Sequence, residues 1–275
     1  MIDILLSTYN GEKYLGEQLD SILAQSYKDW HLIVRDDGST DTTRAVLTSY
    51  SQKYPEKIEI LPDHENIGCL RSFERLMQAS EAPYCCFADQ DDVWLTDKLH
   101  HALNEMQKAE RQVPADTPIV VAADLEVVDE DLRLLDESFW HYVRLNPDLL
   151  QTPERLATCN YVTGCAMLFN RADLRVSLPF PPEAFMHDAV VALCTLHHGG
   201  IILRSPYRDV RYRQHGTNVL GAVPVRYNVR YVRKKICSMG VVLRRQRTNY
   251  RQAHALIGIG PLRFIYNRIH YLLKR

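Results

Sequence analysis

Four short apolar runs, each followed by a segment with helical periodicity, organise the first 110 residues. In the first of these segments Tyr14, Leu15, Leu19, Ile22 and Leu23 fall on one helical face. Four strand–helix units in succession predict an α/β fold with a mostly parallel sheet flanked by helices. The four predicted strands are IDILLSTY, HLIVRDD, KIEILPD and YCCFADQDD.

The pattern continues beyond residue 110 with a predicted strand, IVVAADLEVVD, and a helix that starts near Asp188 and ends before Gly199. A length of 275 residues, with 46% hydrophobic and 24% charged residues, is typical of a globular protein with one large domain, or with one domain and an appendage. The seven cysteines form no CxxC pair, which predicts neither a zinc site nor a disulfide framework. With no signal-peptide or membrane-span pattern, we expect a protein of the reducing cytoplasm.

The charge is divided unevenly along the chain. The last 66 residues hold 15 of the 33 Lys and Arg residues and no Asp or Glu. Apolar residues alternate with these charges and predict amphipathic helices over residues 223–275. Such a basic tail either packs on its own domain or lies on an anionic membrane, and a nucleic-acid partner is disfavoured because no nucleic-acid-binding module accompanies it. The apolar face available to a membrane comprises Tyr227, Tyr231, Ile236, Leu243, Leu262, Phe264, Ile265 and Leu272.

Three of the predicted strands end in polar clusters, STYNGE, RDDGSTD and DQDD. Parallel strands end at one edge of a sheet, where open α/β folds bind ligands. Seven carboxylates gathered there would repel one another unless some bind a cation and others a ligand. No glycine-rich phosphate loop is present, so Asp89 and Asp91 predict a Mg²⁺ or Mn²⁺ site that neutralises a diphosphate.

Four segments carry a family resemblance: LLSTYNGEKYLGEQLDSILAQSY, LIVRDDGSTD, ENIG and FADQDDVWLTDKL. Together they resemble the nucleotide-sugar half of inverting glycosyltransferases of family 2, which have the GT-A fold. The resemblance continues in three later segments, YVTGCAMLFNRADL, MHDAVVALCTLHHGG and YRQHGTNVLG. It is greatest to bacterial rhamnosyltransferase-like members of the family. It implies a GT-A domain over residues 1–222, with a nucleotide-sugar half at 1–110 and an acceptor and catalytic half at 111–222. The basic helical tail follows at 223–275.

The resemblance also implies roles for residues of the donor site. Ser7 and Tyr9 are expected to contact the nucleobase and Asp37 to hydrogen-bond the pyrimidine ring. Asn66 is expected either to shape the pocket or to belong to a plain turn before a helix. Asp36 is expected to orient its loop instead, and a plain Asx turn remains the alternative for the whole DDGSTD segment. The residues expected to hold the metal or the diphosphate are Asp89, Asp91, Arg213 and His215.

Asp188 matches the family's catalytic aspartate. At the start of a helix, the helix dipole is expected to keep it ionised as the base that deprotonates the acceptor hydroxyl. His187 is expected to assist it or to contact the acceptor. Thr163 and Gly164 are expected to line the wall beneath the sugar and the acceptor.

These roles predict a metal-dependent inverting glycosyltransferase that uses dTDP-rhamnose or a UDP-sugar. Its expected acceptor is a lipid-linked glycan of bacterial surface polysaccharide, reached from the cytoplasmic membrane face. One alternative is a sugar nucleotidyltransferase, although STYNGEKY lacks the glycine-rich basic loop that such an enzyme needs. Another is a non-catalytic sugar-binding module, which would not need Asp91, Asp188 and His215 together.

Overall fold

The structure is a computed structural model that describes residues 1–216 and 239–275, the latter with side chains from residue 244 onward. The strands are β1 Ile2–Thr8, β2 Trp30–Asp36, β3 Ile58–Ile60, β4 Tyr84–Ala88, β5 Val93–Trp94, β6 Ile119–Ala122, β7 Glu126–Val128, β8 Leu134–Asp136, β9 Met167–Asn170, β10 Ile201–Arg204 and β11 Val210–Arg213. The helices are α1 Leu15–Leu23, α2 Thr43–Lys53, α3 Cys69–Ala79, α4 Lys98–Glu110, α5 Phe139–Tyr142, α6 Pro153–Leu156, α7 Arg171–Ser177, α8 His187–His197, α9 Met239–Ile257 and α10 Pro261–Lys274.

A seven-stranded sheet forms the centre of the fold, in the order β10-β6-β9-β4-β1-β2-β3. Every neighbouring pair in it is parallel except those of β9, which runs antiparallel to β4 and β6. This confirms the predicted mostly parallel α/β fold. The sequence did not predict β9, because a four-residue apolar run is too short to distinguish a strand from a helix by its pattern.

The predicted strand IVVAADLEVVD divides between two sheets. Its first half is β6 of the central sheet, and its second half is β7 of a four-stranded sheet ordered β5-β11-β7-β8. The division falls at Asp124, whose buried carboxylate accepts hydrogen bonds from Ser138 Oγ at 2.5 Å and Trp140 N at 3.1 Å. These contacts stabilise a change of chain direction that an apolar pattern does not reveal.

Two apolar cores lie on opposite faces of the central sheet, because successive strand residues point to opposite sides. Leu5 of β1 belongs to the core beneath α3 and α8, whereas Ile4 and Leu6 belong to the core beneath α1, α2 and α4. Helices on both faces hold the carboxyl ends of β1, β2 and β4 at a common edge.

The described part of the predicted tail packs on the domain. Ala253 of α9 and Phe264 and Tyr271 of α10 are buried in the same core as α8. Phe264 was expected on a membrane-facing surface, and that expectation is wrong because its ring is only 4% exposed. No described helix has the length and apolar character needed to cross a membrane. The predicted boundary at residue 222 lies outside the described residues. So do three residues of the predicted apolar face, Tyr227, Tyr231 and Ile236, and the side chain of Leu243.

Candidate active site

The ends of β1 and β4 are joined by the amide of Gln90. Tyr9 N donates to Gln90 Oε1 at 2.8 Å, and Gln90 Nε2 donates back to Tyr9 O at 3.1 Å. A Cβ on Gly11 would lie 2.4 Å from Gln90 Oε1, so the glycine leaves room for this amide. The two hydrogen bonds between Tyr9 and Gln90 fix the separation between the β1 loop and the acidic turn after β4.

Asp36 and Asp37 at the end of β2 are both buried and have different partners. The Asp36 carboxylate accepts from Thr8 Oγ1 at 3.0 Å and from Ser39 N at 2.9 Å, an arrangement that orients the loop. Asp37 accepts from the backbone N–H groups of Ile67 at 2.8 Å and Gly68 at 3.0 Å, and from an arginine. A carboxylate has about four acceptor positions, so one remains for a ligand N–H.

That arginine is Arg35, a buried residue that sequence reasoning missed. Its guanidinium donates to Asp37 Oδ1 at 2.8 Å, Ser72 Oγ at 2.7 Å, Asp63 Oδ2 at 3.0 Å and Glu65 O at 2.6 Å. It therefore holds the loop before α3 against the end of β2. A lone basic residue inside the apolar strand LIVRDD was the available signal, since a buried charge requires partners.

The remaining residues predicted to contact the nucleotide lie at this same edge. Ser7 is partly buried near the end of β1, and its register partner on β2 is Arg35. Tyr9 is 49% exposed, and Asn66 is exposed on the loop held by Arg35. The structure thus brings Ser7, Tyr9, Asp37 and Asn66 to one edge of the sheet.

The acidic turn after β4 concentrates negative charge. Burial, together with the charges of Asp91 and Asp188, raises the pKa of Asp89 to about 7. Burial likewise raises the pKa of Asp92 well above its usual range, and its Oδ1 accepts from a backbone N–H of β11 at 3.2 Å. Ligand atoms of Asp89, Asp92 and Cys165 lie within 4.8 Å of one another.

The predicted metal ligands are divided between two neighbouring groups. Asp91 Oδ2 lies 2.7 Å from His215 Nε2, whereas Asp89 clusters with Asp92 and Cys165. Carboxylate oxygens and an imidazole suit Mg²⁺ or Mn²⁺, and the soft Cys165 thiol does not. Burial, and after it the charges of Asp91 and Asp188, raises the pKa of Asp89, and a nearby cation would favour its ionised form. The donor chemistry of Asp89, Asp91 and His215 therefore suits a divalent cation, although the three possible ligands that cluster among the described residues are Asp89, Asp92 and Cys165.

Arg213 does not have the position expected of a diphosphate ligand. Its guanidinium is buried and donates to Asp91 O at 2.8 Å, Glu130 O at 2.6 Å and Glu17 Oε2 at 2.5 Å. It also lies over the ring of Tyr14, 4.4 Å from the centroid. Because these contacts occupy the guanidinium, Arg213 positions the acidic turn and the adjoining His215 loop rather than facing a ligand.

Asp188 is the second residue of α8, and its Oδ1 accepts from Ala189 N at 2.5 Å. Burial raises its pKa to about 6, although hydrogen bonds from Gly164 N and Asn160 and the nearby charge of Arg245 act in the opposite direction. The carboxylate is mostly ionised at pH 7, as expected, but its pKa is raised rather than held low by the helix. A pKa near neutrality makes it a better proton acceptor.

His187 belongs to the core and not to the acceptor site. Its ring is stacked on Phe73 with centroids 3.9 Å apart and meets the edge of Phe87 at 4.6 Å. Burial lowers its pKa to about 3, so the imidazole is neutral. The expected contact with the acceptor is therefore wrong. A Cβ on Gly164 would lie 2.7 Å from His187 Nε2, which explains the glycine in the VTGC segment.

Two cavities lie beside the acidic turn and Asp188. A cavity of about 230 Å³ lies against Asn10, Tyr14, Asp91 and His215, on the side of the β1 loop. A larger one of about 470 Å³ opens beside Asp188, between Thr163 and helices α9 and α10. The smaller cavity thus adjoins the acidic turn, and the larger one adjoins Asp188.

Residues 3–176 match the family model described as glycosyl transferase family 2. The chain belongs to this family. Over 103 residues it is 38% identical to the dTDP-rhamnosyl transferase RfbG of Shigella flexneri, covering 36% of each chain. Over 224 residues it is 28% identical to an uncharacterized glycosyltransferase of Nostoc sp., covering 79% of this chain and 66% of that one. The chain therefore spans two thirds or less of these relatives.

Solved structures share the fold. Residues 1–349 of TarS of S. aureus in complex with UDP superpose with a TM-score of 0.55 at 20% identity, covering 77% of this chain and 60% of that fragment. The mannosyltransferase PcManGT of Pyrobaculum calidifontis, solved with GDP-Man and Mn²⁺, gives a TM-score of 0.57 at 17% identity, covering 99% and 74%. These similarities confirm the predicted GT-A fold.

Proposed function

We propose that this protein transfers a sugar from a nucleotide donor to a glycan acceptor, with inversion at the anomeric carbon and with a divalent cation. The observation that carries this proposal is the position of Asp188, beside the larger cavity and close enough to Asp89 to raise its pKa. A proton acceptor and a cation site are thereby adjacent. Family membership supports the assignment.

The donor is a dTDP- or UDP-sugar, with dTDP-rhamnose favoured by the name of RfbG. Ser7, Tyr9, Asp37 and Asn66 bind the nucleoside at the sheet edge. Asp37 is fixed by the backbone of the loop before α3, so its remaining acceptor position is preorganised for the single N–H of a pyrimidine ring. TarS, which has the same fold, was solved with UDP.

Asp89 and Asp91 hold the cation, with His215 beside them. When bound, the cation neutralises negative charge on the leaving diphosphate. Asp188 removes the proton from the acceptor hydroxyl as that oxygen bonds to the anomeric carbon. The bond from this carbon to the diphosphate breaks on the opposite face, and the electron pair leaves with the nucleoside diphosphate. One displacement inverts the anomeric centre and leaves the proton on Asp188.

The test is a screen of nucleotide sugars against the purified protein with Mg²⁺ or Mn²⁺. We expect one donor to protect the protein against heating and to be hydrolysed slowly in the absence of an acceptor. With an acceptor, NMR of the product should show the inverted anomeric configuration. If no nucleotide sugar binds with either metal, the proposal is wrong. If one binds tightly but is never consumed, the chain is a binding module.

The proposed setting is the synthesis of bacterial surface polysaccharide on a lipid-linked acceptor at the cytoplasmic face of the membrane. Helix α10 supports this setting, because it exposes Leu262 by 82%, Leu273 by 81% and Tyr266 by 67%. The same helix carries Arg263 and Lys274 and no acidic residue. An exposed apolar stripe with basic neighbours matches an anionic lipid surface.

A further inference from the structure

A sulfur atom lies among the carboxylates of the acidic turn. Ligand atoms of Asp89, Asp92 and Cys165, which we call the thiol cluster, lie within 4.8 Å of one another. Tetrahedral Zn²⁺, with bonds of about 2.0 Å to oxygen and 2.3 Å to sulfur, holds such atoms roughly 3.3 to 3.5 Å apart. The three side chains would therefore have to close by little more than about 1 Å to share one zinc ion.

One oxygen of the thiol cluster has no partner. Asp92 is fully buried, and its Oδ1 accepts from the backbone N–H of Arg213 at 3.2 Å. Its Oδ2 is buried as well and has no hydrogen-bond partner within residues 1–216 and 239–275. Because a buried acceptor without a partner is unfavourable, this oxygen is free to bind a cation.

The backbone holds Cys165 in position from both sides. Cys165 is the middle residue of the short turn Gly164–Ala166. Ala166 N donates to Thr163 O at 3.0 Å, and Ala166 O accepts from Ala123 N at 2.9 Å. The thiol is fully buried, which does not suit a reactive cysteine, since a reactive thiol must be accessible. A fixed and buried sulfur beside two carboxylates suits a metal ligand.

The charges around the thiol cluster match a divalent ion. Two carboxylates and a thiolate together carry three negative charges. The buried ammonium of Lys98, which lies 3.6 Å from the centroid of the Trp94 ring, is close enough for its single positive charge to act on Cys165 and Asp92. The remaining two negative charges equal in size the charge of one zinc ion.

We propose that Asp89, Asp92 and Cys165 bind Zn²⁺, and that this ion inhibits sugar transfer by occupying Asp89. The ion bonds to the sulfur and to one oxygen of each carboxylate, and the thiol proton passes to solvent. A thiolate favours Zn²⁺ over Mg²⁺ and Mn²⁺, which prefer oxygen ligands. Asp89 is the partly exposed member of the cluster, so the ion can enter from its side. Cysteine spacing alone did not indicate this site, because its other ligands are carboxylates.

The inhibition rests on the proposed function, because it requires that Asp89 also serve the Mg²⁺ or Mn²⁺ site. Zn²⁺ generally binds a given set of ligands more tightly than Mn²⁺ does. A zinc ion in the thiol cluster would therefore withdraw Asp89 from Asp91 and leave the leaving diphosphate without its cation. The binding of Zn²⁺ itself does not depend on the proposed function.

Co²⁺ is a suitable probe for the site, because a bond between cobalt and a thiolate gives a charge-transfer absorption in the near ultraviolet. Carboxylates and imidazoles do not give this absorption, so it distinguishes the thiol cluster from Asp91 and His215. The whole chain is treated with EDTA, desalted and titrated with Co²⁺. We expect the absorption to appear with Co²⁺ and to disappear when one equivalent of Zn²⁺ is added. Its absence from the unmodified protein would overturn the proposal.

Variants test whether the sulfur is that of Cys165. Cys165→Ala should abolish the cobalt absorption and weaken Zn²⁺ binding, measured by calorimetry, by at least about 10-fold, since even the partners of metal ligands contribute that much. Cys194→Ala is the matched control, because Cys194 is a buried cysteine of α8 outside the cluster. Equal losses in the two variants would overturn the proposal. If circular dichroism shows that Cys165→Ala does not fold, Asp92→Asn replaces it, with the same loss of Zn²⁺ affinity expected.

The inhibition is measured as the Mn²⁺-dependent hydrolysis of a nucleotide sugar at rising Zn²⁺. The zinc concentration that halves the rate should increase with Mn²⁺. In Cys165→Ala it should be at least about 10-fold higher than in the unmodified protein, each protein being compared with its own rate without zinc. Inhibition that is independent of Mn²⁺, or equal in the variant, would overturn the inhibitory role. A cobalt absorption in a protein that turns over no nucleotide sugar would instead reject the proposed function and leave the zinc site standing.

Discussion

His215 Nε2 lies 2.7 Å from Asp91 Oδ2, which joins the loop after β11 to the acidic turn after β4. The His215 ring also lies 4.9 Å from that of Tyr14, so the contact is supported from the side of α1. Three separate segments thus fix the carboxylate that we assign to the cation. A metal ion requires an unprotonated imidazole and an ionised carboxylate, which links cation binding to pH.

Asp91→Asn should leave the fold intact and nearly abolish sugar transfer. The amide has the same shape but lacks the charge that attracts the cation and, through it, the leaving diphosphate. Transfer rates are measured across a Mn²⁺ titration, with circular dichroism to check the fold. Full activity of the variant in EDTA would contradict the assignment of Asp91 to the metal.

The sequence predicted the strand ends well, because strands, apolar faces and acidic turns are local patterns. It did not predict which side chains already hydrogen-bond or pack within the protein and are therefore not available to a ligand. Arg213 has the chemistry of a phosphate ligand, but its partners Glu17 and Glu130 come from distant parts of the chain. His187 adjoins the proposed base in sequence, yet the aromatic rings of Phe73 and Phe87 bury it. Such long-range contacts leave no local pattern.

Asp188→Asn should reduce transfer by about 10² or more while nucleotide-sugar binding survives, because the amide keeps the shape but cannot accept the proton. The unmodified protein should lose kcat/KM as the pH falls through about 6, the raised pKa of this carboxyl. Donor affinity measured over the same pH range is the control. Parallel losses of donor affinity and transfer in the variant would indicate that Asp188 belongs to the donor site.

Gly11→Ala should raise the KM for the donor, because the new Cβ would displace Gln90 and break its paired hydrogen bonds with Tyr9. Gly16→Ala is the matched control on α1, where the nearest atom to an added Cβ is Tyr50 Oη at 3.9 Å. Alanine in a helix is favoured over glycine by about 0.5 to 1 kcal/mol, so this control should be neutral or stabilising. Similar kinetics for the two variants would argue against a positioning role for Gln90.

Asp173 is expected to make stability depend on pH. It is fully buried, accepts from Thr195 Oγ1 and Ser177 Oγ at 3.1 Å each, and burial raises its pKa to about 8. Because the folded state holds this proton more tightly than the unfolded chain, the free energy of unfolding should fall by up to about 1.4 kcal/mol per pH unit between pH 5 and 7. Asp173→Asn should flatten this slope in urea titrations; an unchanged slope would mean that another group causes it.

The exposed stripe of α10 should bind anionic membranes. Leu262→Glu with Leu273→Glu introduces charge at two positions that are 82% and 81% exposed, so the fold should tolerate the change while the attraction to anionic lipid is lost. Cosedimentation with vesicles containing phosphatidylglycerol measures the effect. Binding of the unmodified protein should also weaken as salt rises, because each Lys or Arg near the surface contributes about 1 kcal/mol that salt screens.

Leu134→Glu is the matched control for this stripe, since Leu134 is a leucine 54% exposed on β8, outside the C-terminal helices. We expect this variant to bind vesicles as the unmodified protein does. Transfer to a lipid-linked acceptor should slow in the α10 variant, whereas donor affinity, which depends on the opposite side of Asp188, should not change. If the unmodified protein does not bind anionic vesicles even at low salt, α10 does not attach the protein to lipid. Its exposed stripe would then be available to bind another partner.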